Sequence, residues 1–354
     1  MVVDVHAHVI VPEIARDAAP REQWRPRVWR EDGAQLVELD GRPIRSAVNE
    51  FVDVEAIIDR EAEAGVDGVV LCPWMPLLFP GTEPAAALER CRIQNDALAE
   101  IAAARPGRVA TLGAVPLQDP ALAAAELESV LDAGLAGVEV PASVSGAYLG
   151  DPRFEPFWEA AASGRALVFI HPTTRGFDAP AFAEHYLWNA VGNPLETTIC
   201  AAQMTMAGVM ERHPDLRVLL AHGGGALPAL RGRLRHAHTF QPDAMARLGE
   251  APPESIRRFY FDTVTHDAEL LRALIDFAGA ERVLLGSDYP FDMADPDPVA
   301  TVRACGLEAA DEAAVMGGNA DSLLGLDRAD RQGASTSPAD GGAGTVSEIS
   351  GRDR

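Results

Sequence analysis

Val2-Val3-Asp4-Val5-His6-Ala7-His8-Val9 is the stretch on which the fold turns. Its valines favour β structure, and the run reads as a first strand with two histidines near its end. On an extended strand, residues i and i+2 project from one face, so the two imidazoles share a side. No G-x-G-x-x-G follows the run, which argues against an open doubly wound sheet.

Outward from that strand, seven further β-rich runs recur at 67–72, 109–115, 137–141, 166–171, 217–222, 258–262 and 282–288. Several are near-continuous apolar runs, the pattern of parallel strands buried on both faces. Between them lie Ala-, Leu- and Glu-rich stretches such as 54–64, 86–104, 120–133 and 154–163, which read as helices. The alternation predicts an α/β fold, a (β/α)8 TIM barrel with insertions after strands one and five. Those insertions, about 10–51 and 173–194, would lie at the C-terminal mouth, where long loops can cover a site. A single domain is expected over 1–326. The Ser-, Gly-, Asp- and Arg-rich tail at 327–354 is too poor in apolar residues to fold.

Composition narrows the function. The 354 residues are 47% hydrophobic, enough for one large core. A formal charge of −23 argues against nucleic-acid and anionic-membrane partners. No apolar run approaches the roughly 20 residues of a membrane span, and no signal peptide is visible. Cys72, Cys91, Cys200 and Cys305 lack C-x-x-C spacing, which predicts reduced structural thiols in a cytoplasmic protein. All 30 basic residues are arginine. Without lysine there is no carbamylated lysine to bridge two metals and no Schiff base, which leaves metal-bound water as the nucleophile to expect.

Polar residues gather at strand ends. His6 and His8 end the first predicted strand, His171 the fifth, His222 the sixth and Asp288 the eighth. A barrel brings all of these ends to one face. Five such groups buried together need a cation to offset them, so a divalent-metal site is predicted. The ligand set read from the residues is His6, His8, His171 and Asp288, with His222 as general acid/base. Asp288 could instead stay off the metal and take a proton from bound water. Gly223-Gly224-Gly225 after His222 lets the backbone turn tightly and leaves room beside that imidazole. His213, before Pro214, reads as a helix-end group whose charge suits the dipole, and His236 and His238 read as surface groups, while His185 and His266 are candidates for the mouth and the outer shell of the site.

The chain resembles the metal-dependent amidohydrolase superfamily, in the branch of aminocarboxymuconate-semialdehyde decarboxylase. The matching stretches are Asp4-Val5-His6-Ala7-His8, Val115-Pro116-Leu117-Gln118-Asp119, His171-Pro172, Ala221-His222-Gly223-Gly224-Gly225, Gly286-Ser287-Asp288-Tyr289-Pro290-Phe291 and Gly318-Asn319-Ala320. The resemblance implies one catalytic divalent metal, zinc or alternatively manganese, on His6, His8, His171 and Asp288, and no organic cofactor. It implies a non-oxidative decarboxylase of a small unsaturated or aromatic carboxylic acid, working through metal-bound hydroxide with His222 and Asp288 as the catalytic pair. It also implies substrate-binding arginines, matched by Arg233 and by Arg42 or Arg45, with Arg233 reaching a neighbouring subunit of a homodimer. Trp188 and Phe291, with Trp74 and Phe79, are candidates for the apolar wall of the pocket. The alternative is a hydrolase of an amide, lactone or related bond using the same hydroxide.

Overall fold

The computed structural model of the chain describes residues 1–15, 24–31, 34–39, 42–44, 51–177 and 179–326. Eight parallel strands follow one another in sheet order: β1 (Val3–Val9), β2 (Gly68–Pro73), β3 (Val109–Gly113), β4 (Gly137–Pro141), β5 (Leu167–His171), β6 (Arg217–Leu220), β7 (Tyr260–Asp262) and β8 (Val283–Leu284). The ring closes through backbone bonds between β1 and the segment that follows β8. Val5 N–H donates to Leu285 O at 2.9 Å, Asp288 N–H to His6 O at 2.8 Å, and His8 N–H to Tyr289 O at 2.7 Å. This is the (β/α)8 barrel the alternation predicts.

Eight helices form the outer layer: α1 (Val54–Glu63), α2 (Pro84–Ala103), α3 (Pro120–Asp132), α4 (Glu155–Gly164), α5 (Asn193–Met206), α6 (Leu227–Phe240), α7 (Ala268–Ala278) and α8 (Pro298–Ala304). Short polar signals start several of them. Asp53, Asp119, Asp267 and Asp297 each accept a backbone N–H of the first turn, satisfying a donor the helix itself cannot use. Among the described residues, no helix is long and apolar enough to cross a membrane.

Two apolar clusters divide the interior. Val70, Cys72, Leu112, Leu167, Phe169, Leu219 and Leu284 fill the barrel. A larger set, including Val69, Leu71, Val138, Val140, Val168, Ile170 and Val218, packs the strands against the helices. β1 changes sides between them. Val3 and Val5 belong to the barrel filling, whereas Ala7 and Val9 belong to the helix-side layer. The cause is a register shift: Asp4 pairs with Val69 and Ala7 with Leu71, so three steps along β1 match two along β2. One extra residue reverses the pleat. It turns Asp4 away from His6 and His8, although their spacing alone would put all three together.

The insertion after β1 contains a three-stranded antiparallel sheet, Arg27–Glu31, Ala34–Leu39 and Arg42–Ile44. Arg42 sits in its last strand; Arg45 and the tail at 327–354 lie outside the described residues. The insertion after β5 is fastened at its base by buried Glu196 of α5. That carboxylate accepts the backbone N–H groups of Thr173 (3.1 Å) and Thr174 (2.8 Å), and the hydroxyls of Thr174 (2.7 Å) and Ser143 (3.2 Å).

Candidate metal centre

The reversed pleat of β1 delivers both histidines into the barrel mouth. The ring of His6 lies 4.7 Å from that of Phe169 inside the barrel, and the His171 ring is 5.1 Å from that of His8. Asp288, on the segment that closes the barrel, completes the group. Its Oδ1 lies 3.1 Å from His6 Nε2 and 3.3 Å from His8 Nε2. One ligand atom from each of His6, His8, His171 and Asp288 falls within 4.8 Å of every other, and all four residues are buried. The structure therefore brings together the four residues the sequence singles out.

The outer nitrogens of the three imidazoles are all occupied. His6 Nδ1 donates to Asp262 Oδ2 at 2.7 Å, His8 Nδ1 to Pro73 O at 3.0 Å, and His171 Nδ1 to Pro172 O at 3.0 Å. These bonds leave each Nε2 with a lone pair directed inward. His6 Nε2 and His8 Nε2 face each other at 3.1 Å. His171 Nε2 and Asp288 Oδ1 are buried and have no hydrogen-bond partner. Three lone pairs and a carboxylate converging in a buried space are reconciled by a cation. The donor set and the spacing fit a divalent metal, whose bonds to such ligands are about 2 Å long.

Electrostatics agree. Burial opposes a charge on His6, but Asp288 and Asp262 outweigh it and push its pKa up to about 10. Burial and the neighbouring imidazoles hold His171 well below the usual histidine range. Burial also disfavours the charged form of Asp288, yet His6, His222 and His8 hold its carboxyl well below the ordinary value. The centre thus draws positive charge toward Asp288, a place a metal ion can take.

His222 stands beside this group. Chain β6 ends at Leu220, and His222 begins a tight turn with a φ of 57°. Asp262 Oδ2 accepts its backbone N–H at 2.9 Å, and Oδ1 accepts that of Gly223 at 2.7 Å. Asp262 therefore holds both His6 and the His222 turn. Asp262 is not among the site residues expected from the sequence; its place at a strand end, shared with His171, is the signal that points to it. The glycines after His222 are required by close approach. A Cβ on Gly225 would lie 2.1 Å from Pro194 O, and its φ is +61°. The turn leaves the His222 side chain 14% exposed, with Nε2 3.4 Å from Asp288 Oδ2 and Nδ1 without a partner.

A cavity of about 360 Å³ opens at His222 and Asp288, with Asn189, Asn193, Val264 and Leu274 also in its wall. Phe291 packs 5.1 Å from the rings of both His8 and Phe51. Trp188 lies in the π-helical turn leading to α5, outside the cavity wall, with Arg175 over its ring at 4.1 Å. Trp74 and Phe79 are buried, near Phe51 and Trp24 respectively. Arg233 is exposed on α6 and is not part of the wall; Arg231, two residues earlier, is, with its guanidinium 4.7 Å over Phe277. His266 also reaches the wall, while the exposed His185 pairs with Glu184. His213 bonds Glu155, His238 bonds Leu248 O, and His236 stacks on Phe240.

Comparison with known proteins agrees with this geometry. A family model described as amidohydrolase matches residues 3–326. The chain is 33% identical, over 82% of its length and 81% of the relative's, to the 2-amino-3-carboxymuconate-6-semialdehyde decarboxylase of Dictyostelium discoideum. It is 27% identical, over 91% of its length and 97% of the relative's, to the gamma-resorcylate decarboxylase of Rhodococcus jostii. The crystal structure of 5-carboxyvanillate decarboxylase from Sphingomonas paucimobilis is similar at a TM-score of 0.75 and 26% identity, covering 91% of this chain and 98% of that one. With a barrel closed around three imidazoles and an aspartate, and relatives of this kind along nearly its whole folded length, the chain belongs to the amidohydrolase family and, within it, to the branch of carboxy-lyases.

Proposed function

We propose that the protein is a metal-dependent, non-oxidative decarboxylase of a small aromatic or unsaturated carboxylic acid. The observation that carries the reading is the position of His222, at a cavity wall and 3.4 Å from the carboxylate that completes the metal group. Relatives named as decarboxylases of aminocarboxymuconate semialdehyde and of gamma-resorcylate support the substrate class. A cavity of about 360 Å³ suits a single ring or a short conjugated chain.

His6, His8, His171 and Asp288 would hold the ion, and three nitrogens with one oxygen suit zinc, with manganese as the alternative. When bound, the ion supplies Lewis acidity and a source of hydroxide at neutral pH. The remaining work belongs to the chain. Loss of carbon dioxide requires a proton on the carbon left behind, and His222 is the acid/base group beside the cavity. Asp288 Oδ2 faces its Nε2 at 3.4 Å, while Asp262 fixes the backbone from which it projects. The apolar residues of the cavity wall, Val264, Leu270, Ala273 and Leu274, would keep water from the reacting carbon, while Phe291 packs on His8 outside that wall. We assign the exposed Arg233 to the substrate of a partner protomer in a homodimer, and the cytoplasm as location on the four free, buried cysteines.

The test is metal analysis of the purified protein, then carbon dioxide release across muconate-like and hydroxybenzoate-like acids. The wild type is expected to release carbon dioxide with no oxygen from water in the organic product. His222→Asn is expected to keep its metal and lose about 10²- to 10⁴-fold in kcat. An organic acid that gains an oxygen from labelled water would instead make the enzyme a hydrolase.

A further inference from the structure

Three side chains in the cavity wall carry hydrogen-bonding groups that no described residue engages: Asn189, Asn193 and His266. Their polar neighbours in the wall are occupied. Thr265 donates to Asp267 O at 3.0 Å, Arg231 turns to Pro228 O and to the ring of Phe277, and His222 faces Asp288. The two asparagines come from one element. The N–H of Asn193 donates to Trp188 O, five residues back, and this π-helical turn sets Asn189 and Asn193 one turn apart, both in the wall. Asn193 is 8% exposed, and a buried carboxamide left unpaired is costly. Its place relative to His222 is fixed. Thr198 Oγ1 donates to Pro194 O at 2.7 Å and accepts the Ala226 N–H at 2.8 Å, which ties the start of α5 to the turn that carries His222.

We propose that Asn193, with Asn189, is the specificity-determining pair of this cavity and takes a hydroxyl group of the substrate. A hydroxyl both donates and accepts, as a carboxamide does, so each satisfies the other. A carboxylate only accepts, and would face the carbonyl oxygens of the two amides unmatched. Among small acids the pair therefore selects a ring that carries a hydroxyl over the bare ring, because the bare ring leaves the buried amide without a partner. The inference deepens the decarboxylase reading and rests on it for the kind of ligand. Its test measures binding apart from turnover, so that the two fail separately.

The full chain, loaded with zinc, is titrated by calorimetry with benzoate and with 2-, 3- and 4-hydroxybenzoate, and carbon dioxide release is followed separately. The wild type is expected to bind at least one hydroxy acid about ten-fold more tightly than benzoate. Asn193→Ala is expected to bind that acid and benzoate alike. Should that variant fail to fold, Asn189→Ala, at a half-buried position, carries the measurement and should cut the preference about three-fold or more. A wild type that binds the four acids equally, or binds none, would overturn the inference. So would a variant that keeps the preference, even where both affinities fall together, the mark of simple packing. A preference lost in the variant, with no carbon dioxide released from any of the acids, would uphold the hydroxyl site and fail the decarboxylase reading.

Discussion

On the inner side of β1, the carboxylates of Asp262 and Asp288 lie 2.7 and 3.1 Å from the two ring nitrogens of His6. On the outer side, Asp4 is buried beside another acid, Glu61 of α1, and each influences the other's ionisation. The two sides bury the same kind of side chain to the same degree and shift its pKa in opposite directions. Burial raises every carboxyl pKa, but beside His6 the imidazoles outweigh it, and both Asp262 and Asp288 end below the usual value, whereas Glu139, elsewhere in the barrel, is pushed well above it. Between β1 and α1 nothing comparable opposes burial, and Asp4 is pushed up to about 6 and Glu61 to about 9. The sign of the neighbour decides, and the single extra residue in β1 decides which neighbour each acid meets.

The comparison breaks most severely at Asp288. Asp288→Asn keeps the shape but removes the negative charge that faces His6, His8 and His222. Three imidazoles would then lack their shared carboxylate. Metal content should fall well below one ion per chain, and turnover should drop about 10³-fold or more, since an acid–base partner and a ligand are lost together. Metal analysis and kcat/KM on the same preparation check this. Full metal content with lost turnover would take Asp288 out of the ligand set and leave it as a proton acceptor.

A smaller effect is expected at Asp262, which lies outside both the four-residue group and the cavity wall. Asp262→Asn weakens the bond that orients His6 and alters the acceptors for the N–H groups of His222, Gly223 and Val264. Metal affinity should fall about 10- to 100-fold, the usual effect of losing a group that orients a ligand. Excess metal should restore part of the turnover. A variant with unchanged affinity would show that burial alone orients His6.

Much of this was legible in the sequence, and the reason is physical. A parallel strand buried on both faces leaves a continuous apolar run, so each of the eight runs stands out, and β4 falls at 137–141 as read. Chemistry placed at strand ends is likewise visible, because His171 interrupts an apolar run just where it stops. What was not legible depends on register. Alternation alone puts Asp4 with His6 and His8, and nothing local reveals the inserted step that parts them. The task of Asp262 needs β7 near both β6 and β1, and its approach to His6 of β1 comes from the closed ring. The antiparallel sheet over Arg27–Ile44 was hidden for another reason: its strands are short, with little apolar patterning, and Arg27–Glu31 is mostly exposed.

The outer acid pair gives the finest test of the comparison, because it leaves catalysis alone. Both acids have folded-state pKa values above their ordinary ones, so between about pH 4 and 9 the folded protein binds more protons than the unfolded chain. Their contribution is therefore greatest below the ordinary carboxyl pKa and is lost as pH rises through the folded values. Glu61→Gln removes the ionisation, keeps the shape, and leaves an amide N–H to donate to Asp4. It should stabilise the protein by about 1–3 kcal/mol near pH 9, the cost of a buried unsatisfied group, and change little near pH 5. Thermal melting across pH 5–9 would show the variant's stability falling less steeply than the wild type's, with kcat unchanged. Parallel slopes would mean that Asp4 and Glu61 share no proton, and that the outer side of β1 is as well matched as the inner.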